Sequence, residues 1–421
     1  MPDSSPAPPA EPESLAALMR QRGFMLFWVS RFLTVLAAQA QGVTIAWQVY
    51  DMARQRHMGV KQAALLLGMI GLAQFLPLFA LSLFAGDAAD RHDRRRIIMT
   101  CLVVEVLCVG ALAFMTLSGQ VAFWPIFGLA IVFGAARAFF NPASTAMAPS
   151  LVPKNLLPRS IAWNSLSWQG ATIAGSALGG LLCAWSSGAS YVVTAVLFGV
   201  AICCLIPVRA KFQQVLQTAS RIELMKEGLS YVWRQKIVFG SISLDLVAVL
   251  LGGATALLPV FARDVLQVGP QGFGILRAAP AIGATAMAIY LALHPIRRHA
   301  GLSMFAGVAV FGVATLVFAL SRSMILSVAA LAALGAGDMI SVFVRQSLVQ
   351  IVTPDHMRGR VAAVSTLFIG ASNELGEFES GVAARFLGPV GAAVFGGVGA
   401  LIATGTWAKL FPQLRRADRL T

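Results

Sequence analysis

Residues 86–96 read GDAADRHDRRR and form a short charged loop between two long apolar segments, 63–86 and 97–117. A helix needs about 20 mostly apolar residues to cross a bilayer, and both flanking segments reach that length. Backbone groups find no water in the hydrocarbon layer, so segments of this kind cross it as helices. This stretch therefore predicts a membrane-embedded helical hairpin whose charged loop lies in water.

The composition of the whole chain agrees with a membrane protein. Of 421 residues, 57% are hydrophobic and 12% are charged, and the mean hydropathy is +0.76. Soluble domains carry about 25% charged residues, so a soluble enzyme and a disordered chain are both excluded. A net charge of +14 would suggest a nucleic-acid partner in a soluble protein. Here the basic residues occupy short loops between apolar runs, so the expected partner is the lipid bilayer and not nucleic acid.

The apolar runs predict an all-α membrane protein with twelve transmembrane helices. A charged connection at 207–236 divides them into an N-terminal bundle of six, 23–206, and a C-terminal bundle of six, 237–411, and it is expected to contain an amphipathic helix. The predicted spans are 24–51, 63–86, 97–117, 121–149, 159–184, 188–206, 237–263, 272–293, 302–320, 324–351, 359–384 and 389–411.

The basic residues predict the orientation, because cytoplasmic loops of membrane proteins are enriched in Lys and Arg. With both termini inside, 22 Lys and Arg lie on the cytoplasmic side and 5 on the outer side. Residues 1–22 begin with a Pro-rich stretch that lacks the basic start of a signal peptide, so they are expected to be a disordered cytoplasmic tail. Residues 412–421 are expected to be a second cytoplasmic tail.

An internal repeat links the two halves. Shifting 133–181 by 201 positions superimposes it on 334–382 without a gap, and Gly134, Pro153 and Arg159 then match Gly335, Pro354 and Arg360. Parallel repeats of six helices build transporters whose substrate binds between the two bundles near the membrane midplane. The repeat therefore predicts two six-helix bundles around a central site.

The 86–96 loop resembles the signature loop of the major facilitator superfamily, G-x-x-x-D-R-x-G-R-[KR]. The matching residues are Gly86, Asp90, Arg91, Arg94 and Arg95. Asp93 departs from the pattern, because the family usually has Gly there. The resemblance implies that the loop governs conformational switching and does not contact substrate. We expect the Asp90 carboxylate to accept hydrogen bonds from a neighbouring helix amino end and from Arg94 or Arg95, as a cytoplasmic latch.

Three shorter stretches are similar to the bacterial exporters that include enterobactin exporters and macrolide efflux proteins. They are FWVSR at 27–31, FFNPA at 139–143 and TPDHMRGRV at 353–361. This resemblance implies efflux across a bacterial inner membrane, with a monomer as the default state, and leaves the substrate open.

Eleven charged side chains lie inside the predicted spans, and exposing all of them to lipid would cost about 30 kcal/mol. Glu374 and Glu377 are three residues apart and share one face of span 11. Two buried carboxylates repel each other when both are ionised, so the pair favours uptake of a proton, as a proton carrier requires. The alternative is that both are permanently paired with basic residues and only hold the bundle together.

Other intramembrane charges leave more alternatives open. Asp245 is a further proton-coupling candidate, and Arg31 pairs either with it or with substrate. Under the repeat Arg137 matches Asp338, so these two either meet across the cavity or serve their own bundles, and Asp338 also shares a face with Arg345. Glu105 has no evident partner. Three arginines are expected to extend to a membrane interface: Arg277, Arg345 and Arg385.

The leading hypothesis is a proton-coupled exporter of a small amphipathic compound, a drug or a siderophore. An importer or facilitator of a polar nutrient is the alternative within transport, and a membrane-embedded lipid-handling protein is the alternative from another class. No cofactor or metal is expected, because the sequence has no Gly-rich phosphate loop and all five His lie in or beside loops.

Overall fold

The structure is a computed structural model that describes residues 15–209, 221–296 and 298–416. Helices dominate the described chain. Their bounds are α1 Leu15–Met19, α2 Arg22–Gln55, α3 Val60–Arg91, α4 Arg94–Leu117, α5 Phe123–Met147, α6 Leu157–Trp185, α7 Ser187–Leu205, α8 Arg221–Arg234, α9 Lys236–Leu251, α10 Leu258–Val260, α11 Gly269–Leu293, α12 Ala300–Leu320, α13 Met324–Val352, α14 Asp355–Leu410 and α15 Pro412–Arg415. Short 3₁₀ and π turns flank α10, so that the chain stays helical between α9 and residue 265.

Ten segments of the described chain are long and apolar enough to cross a membrane. The α6 helix is not among them, because Ser, Asn, Gln and Gly residues dilute its apolar run. The α14 helix counts as one of the ten, although its 56 residues would extend about 84 Å as a straight helix against a hydrocarbon layer of about 30 Å. It is interrupted at Gly388, whose φ of +78° belongs to the region that glycine tolerates, and Pro389 follows.

The helices pack as two sets. Helices α2–α7 contact one another, and so do α9 and α11–α14. The two sets meet mainly along two lines, one between α3 and α14 and the other between α6 and α11. Both helix sets thus border the space between these two lines of contact.

Glycine makes both lines of contact possible. A Cβ added at Gly68 of α3 would lie 2.9 Å from the Cα of Gly381 in α14, and one added at Gly180 of α6 would lie 2.7 Å from the Cα of Gly274 in α11. Within a bilayer, helices associate through close packing rather than through a hydrophobic driving force. Paired glycines let the two backbones touch, so each crossing gains contacts that any larger residue would prevent.

Two connecting segments also pack against the helix sets. The helix expected between 207 and 236 lies at Arg221–Arg234, where Val232 is buried and the Tyr231 hydroxyl donates to the Val352 carbonyl at 3.0 Å. Residues 15–19, within the expected disordered tail, form α1, because Leu18 is buried against Phe24 and Leu156. Three stretches of the expected tails and linker, 1–14, 210–220 and 417–421, lie outside the described residues.

The close crossing of α6 and α11 predicts that Gly180→Ala destabilises the protein. The added Cβ would meet the Gly274 backbone, so the helices have to separate at a cost of about 1–3 kcal/mol. The measurement is the apparent melting temperature of the purified protein in detergent. Gly199→Ala is the matched control, because a Cβ there meets nothing within 4 Å, and it should leave the melting temperature unchanged or slightly raised. Equal melting temperatures for the two variants would contradict the crossing.

Candidate functional site

A cavity of about 170 Å³ lies between the two helix sets. Its walls mix apolar and polar side chains, with Ile45 and Ile70 from the first set facing Phe273 from the second. Five charged side chains also line it: Glu105, Arg137, Arg277, Glu374 and Glu377. A cavity that combines apolar surface with convergent polar and charged groups is the usual form of a small-molecule site.

An ion pair joins the two helix sets across this cavity. The Arg137 guanidinium of α5 lies 3.5 Å from a Glu374 carboxylate oxygen of α14, and it donates to the Gln74 side-chain oxygen of α3 at 3.1 Å. Glu374 is 15% exposed and Arg137 is 41% exposed, so the pair is partly withdrawn from solvent. Formation or loss of this ion pair therefore affects how strongly the two helix sets are held together.

The second carboxylate of α14 pairs within its own helix set. Glu377 lies 3.4 Å from the Arg277 guanidinium of α11, which also donates to the Thr255 carbonyl at 3.3 Å. The expectation that Arg277 extends to a membrane interface is wrong, because the carboxylate in the cavity offers a stronger partner. Glu374 and Glu377 interact with each other as well as with the two arginines.

Asp245 and Asp338 form a separate cluster around Arg345. The Arg345 guanidinium lies 3.2 Å from Asp245 and 3.4 Å from the Ser365 hydroxyl, and Asp338 interacts electrostatically with both Asp245 and Arg345. Arg345 is 2% exposed, so the expectation that it extends to an interface is wrong. None of the three lines the cavity. Of the partners left open for Asp338, Arg345 interacts with it electrostatically, and Arg137 pairs with Glu374 instead.

Arg31 stands apart from both clusters. Among the described residues it makes no ion pair, so Asp245 is not its partner. Counting 100° per residue, Arg31 lies on the same face of α2 as Ala38 and Gly42, which line the cavity. It is therefore two helical turns away from the cavity along that face, with a half-buried guanidinium.

The arginines of the 86–96 loop bind the ends of neighbouring helices. Arg94 donates to the Ala146 carbonyl at the end of α5 at 2.9 Å, and Arg95 donates to the carbonyls of Leu205 and Ile206 at the end of α7. Cationic side chains are favourable at helix carboxyl ends, where backbone carbonyls lack partners. The hydrogen bonds of Arg94 and Arg95 thus fasten this loop to helices of its own set.

Most of the predicted 86–96 loop is helical, because α3 continues to Arg91 and α4 begins at Arg94, so only His92 and Asp93 connect the two helices. Arg91 lies 2.9 Å from Asp87, while Gly86 and Asp90 lie in the last two turns of α3. Asp93, at the position where the family pattern has Gly, accepts a hydrogen bond from the Arg95 backbone N–H at 3.0 Å. It is therefore the N-cap of α4, which explains how the loop turns without the glycine.

The helix ends opposite this loop carry ion pairs that the sequence reasoning missed. Asp51 of α2 pairs with Arg263, and Arg54 of α2 lies 3.5 Å from Asp264. The Tyr50 hydroxyl also donates to Asp264. These contacts join the two helix sets at their far ends. Opposite charges at the ends of two predicted spans are the only sequence signal for them.

Glu105 of α4, for which the sequence shows no evident partner, lines the cavity. It is 5% exposed and interacts electrostatically with Arg137, without an ion pair of its own among the described residues. Its Oε2 atom is buried and accepts no hydrogen bond from the described residues. A carboxylate in the middle of an apolar span is a signal for such a site, although the sequence does not reveal what it faces.

The helical fold defines the class of protein. A POT family transporter crystallised with 5-aminolevulinic acid matches over 93% of this chain and 96% of its own, with a TM-score of 0.74 and 12% identity. A D-xylose–proton symporter matches over 93% of this chain with a TM-score of 0.70. The chain therefore has the fold of the major facilitator superfamily of membrane transporters.

The sequence comparisons narrow the class to a family. A family model described as transmembrane secretion effector matches residues 13–420, and the chain belongs to this family. The multidrug efflux pump Tap of Mycobacterium tuberculosis is 28% identical, over 92% of this chain and 93% of its own length. The enterobactin exporter EntS of Escherichia coli is 24% identical, over 92% and 88%. The expected resemblance to such exporters is confirmed, and the chain is a multi-pass membrane transporter rather than an enzyme.

The Arg345 cluster predicts an ordered series of stabilities. Arg345→Met leaves two buried carboxylates uncompensated and should cost about 3–5 kcal/mol. Asp245→Asn should cost less, because the guanidinium still interacts electrostatically with Asp338. The measurement is thermal unfolding in detergent, with Arg385→Met as the control, since Arg385 is exposed. An Asp245→Asn variant less stable than Arg345→Met would contradict the shared role of the two carboxylates.

Proposed function

We propose that this protein exports a small amphipathic compound, a drug or a siderophore, in exchange for protons across a bacterial inner membrane. In this proposal twelve helices form two six-helix bundles related by the parallel repeat, and both termini are cytoplasmic. The α6 helix and the two parts of α14 on either side of Gly388 complete the number twelve. The 86–96 loop then lies in the cytoplasm and the far ends of α2 and α10 lie outside.

The observation that carries the proposal is the Arg137–Glu374 ion pair across the cavity. A proton on Glu374 removes the negative charge that holds Arg137, so protonation weakens the attraction between the two bundles at the cavity. Loss of the proton restores it. A group that takes up a proton on one side and releases it on the other thereby couples the proton gradient to movement of the bundles.

Glu377 shares this role in a different way. It lies beside Glu374 and is held by Arg277, so the two carboxylates and two guanidinium groups balance one another. A proton on either carboxylate leaves one guanidinium with less compensation. The pair is expected to behave as one coupled proton site, and Asp245 with its buried partner Arg345 is a second, more enclosed candidate.

Alternating access needs two gates, and the proposal assigns one to each membrane face. The ion pairs of Asp51 and Arg54 with Arg263 and Asp264 join the two helix sets at the ends assigned to the outer face, and they are proposed as the outer gate. The 86–96 loop is the inner switch, because Arg94 and Arg95 tie it to the carboxyl ends of α5 and α7. Asp90 would complete the inner latch when the bundles close on the cytoplasmic side.

Efflux relatives support the direction of transport. The proteins named as a multidrug efflux pump and as an enterobactin exporter both match most of this chain. The candidate substrate-facing charges are Arg137 in the cavity and Arg31 toward the cytoplasmic side, while Asp338 lies in the enclosed cluster. A monomer suffices, because both halves of the cavity come from one chain.

Proton coupling predicts that Glu374→Gln and Glu377→Gln together abolish substrate-dependent proton movement. The neutral amides cannot exchange a proton with the gradient. The measurement is quenching of a pH-sensitive dye in inverted vesicles, across a panel of siderophores and lipophilic drugs. Arg385→Met is the control and should transport as the wild type does. Substrate movement without a proton signal in the wild type would indicate a facilitator, and unchanged coupling in the double variant would rule out α14 as the proton site.

The outer gate predicts a charge-reversal effect. Arg263→Asp places a carboxylate opposite Asp51, so the outer face should open. The measurement uses Ile45→Cys on the cavity wall and a membrane-impermeant maleimide added from outside, in a chain whose native cysteines are replaced. Labelling should be several-fold faster in Arg263→Asp and should return to the starting rate when Asp51→Arg is added. Equal rates in all three proteins would show that these ion pairs do not gate the cavity.

A further inference from the structure

The charges that line the cavity do not balance. Three carboxylates and two guanidinium groups are present. Glu374 is matched by Arg137 at 3.5 Å, and Glu377 is matched by Arg277 at 3.4 Å. Glu105 is the carboxylate that remains without an ion pair of its own.

The surroundings of Glu105 make this imbalance costly. Its side chain is 5% exposed, and its Oε2 atom is buried without a hydrogen-bond donor among the described residues. A buried carboxylate that lacks a partner loses several kcal/mol of hydration that nothing replaces. Arg137 interacts with it, but that guanidinium is already engaged by Glu374 and Gln74. The site therefore favours any positive group that enters the cavity.

The cavity walls define the rest of the ligand. Ile45, Ile70, Phe133 and Phe273 contribute apolar and aromatic surface to this space, beside the polar side chains of Gln39, Gln41, Gln74 and Thr255. Aromatic faces attract cations as well as apolar groups. A ligand that satisfies both parts of this cavity carries a positive charge on a hydrophobic body.

We propose that Glu105 is the substrate-selecting residue of this transporter and that it binds the cationic group of a lipophilic organic cation. This inference rests on the proposed transport function and specifies its substrate class. The inference favours a cationic drug over a siderophore as the substrate. A polyanionic siderophore would place its negative charges against the Glu105 carboxylate, which has no ion pair of its own. Glu105 belongs to the binding site, and the proton site stays on α14.

Arg31 carries the opposite charge and would select the opposite kind of ligand. Its guanidinium is half-buried, has no ion pair among the described residues and lies on the cavity-facing side of α2. It lies two helical turns from the cavity lining, where it would attract an anion. A ligand recognised by Arg31 rather than by Glu105 would have the opposite charge.

The test compares two probes of equal shape and opposite charge, tetraphenylphosphonium and tetraphenylborate. Binding is measured at equilibrium to the purified full-length protein in detergent, without any gradient. The wild type should bind the phosphonium more tightly than the borate. Glu105→Gln should weaken phosphonium binding about tenfold or more, which corresponds to about 1.4 kcal/mol. Glu105→Asp should retain part of it, and Glu379→Gln, at a carboxylate that does not line the cavity, should leave it unchanged.

A second measurement uses the unaltered protein, so it stands even if Glu105→Gln fails to fold. Dicyclohexylcarbodiimide modifies carboxyl groups in apolar surroundings, and peptide mass spectrometry reports the modified residue. Bound tetraphenylphosphonium should protect Glu105 several-fold, and tetraphenylborate should not. Modification of Glu379, which does not line the cavity, should be unaffected and serves as the internal control.

Three outcomes would overturn the inference. They are phosphonium binding by Glu105→Gln equal to the wild type, preference of the wild type for the borate, and absence of binding of either ion. Because the assay has no gradient, its result does not depend on proton coupling or on transport direction. Loss of coupling in the Glu374 and Glu377 variants with intact phosphonium binding would support the proposed function and this inference separately.

Discussion

The constraint on which the rest of the structure depends is the cost of a charge in hydrocarbon. Each unpaired central charge costs about 2.5–3.5 kcal/mol on an insertion scale, so charged residues on different helices have to find one another. Arg137 with Glu374, Arg277 with Glu377 and Arg345 with Asp245 are the result. Pairing of this kind determines which helix faces turn inward, and only the first of these pairs crosses between the helix sets.

Close helix crossings and charge pairing act together. The glycine contacts Gly68–Gly381 and Gly180–Gly274 bring the two sets together along two lines, leaving the cavity between them. The first line runs along α14, the helix that also carries Glu374 and Glu377. A change in the charge of these carboxylates therefore acts on a helix that is already in backbone contact with the other set. The proposed proton site would therefore lie at the junction between the two helix sets.

Several features of the site could be predicted from the sequence, and the reasons are local. Glu374 and Glu377 share a face because they are three residues apart, and Arg94 and Arg95 lie at the charged end of α4 because no apolar run includes them. Partners could not be predicted in the same way. Spacing leaves Arg31 to pair either with Asp245 or with substrate, and Asp245 meets Arg345. Spacing shows no evident partner for Glu105 and does not reveal that it lines the cavity and interacts with Arg137. A partner depends on how helices rotate against one another, which spacing along one helix does not fix.

By itself, the sequence determined that this is a membrane protein with many helical spans, a charged signature loop and carboxylates buried in α14. These follow from the length of apolar runs, from periodicity and from the cost of burying charge, which are properties of each segment alone. The tertiary structure decided which charges meet, where the cavity lies, and that one carboxylate in it is left over. Those properties arise from packing between segments far apart in the chain. Only the folded molecule therefore shows that Arg137 bridges the two helix sets, whereas Arg345 is enclosed within one of them.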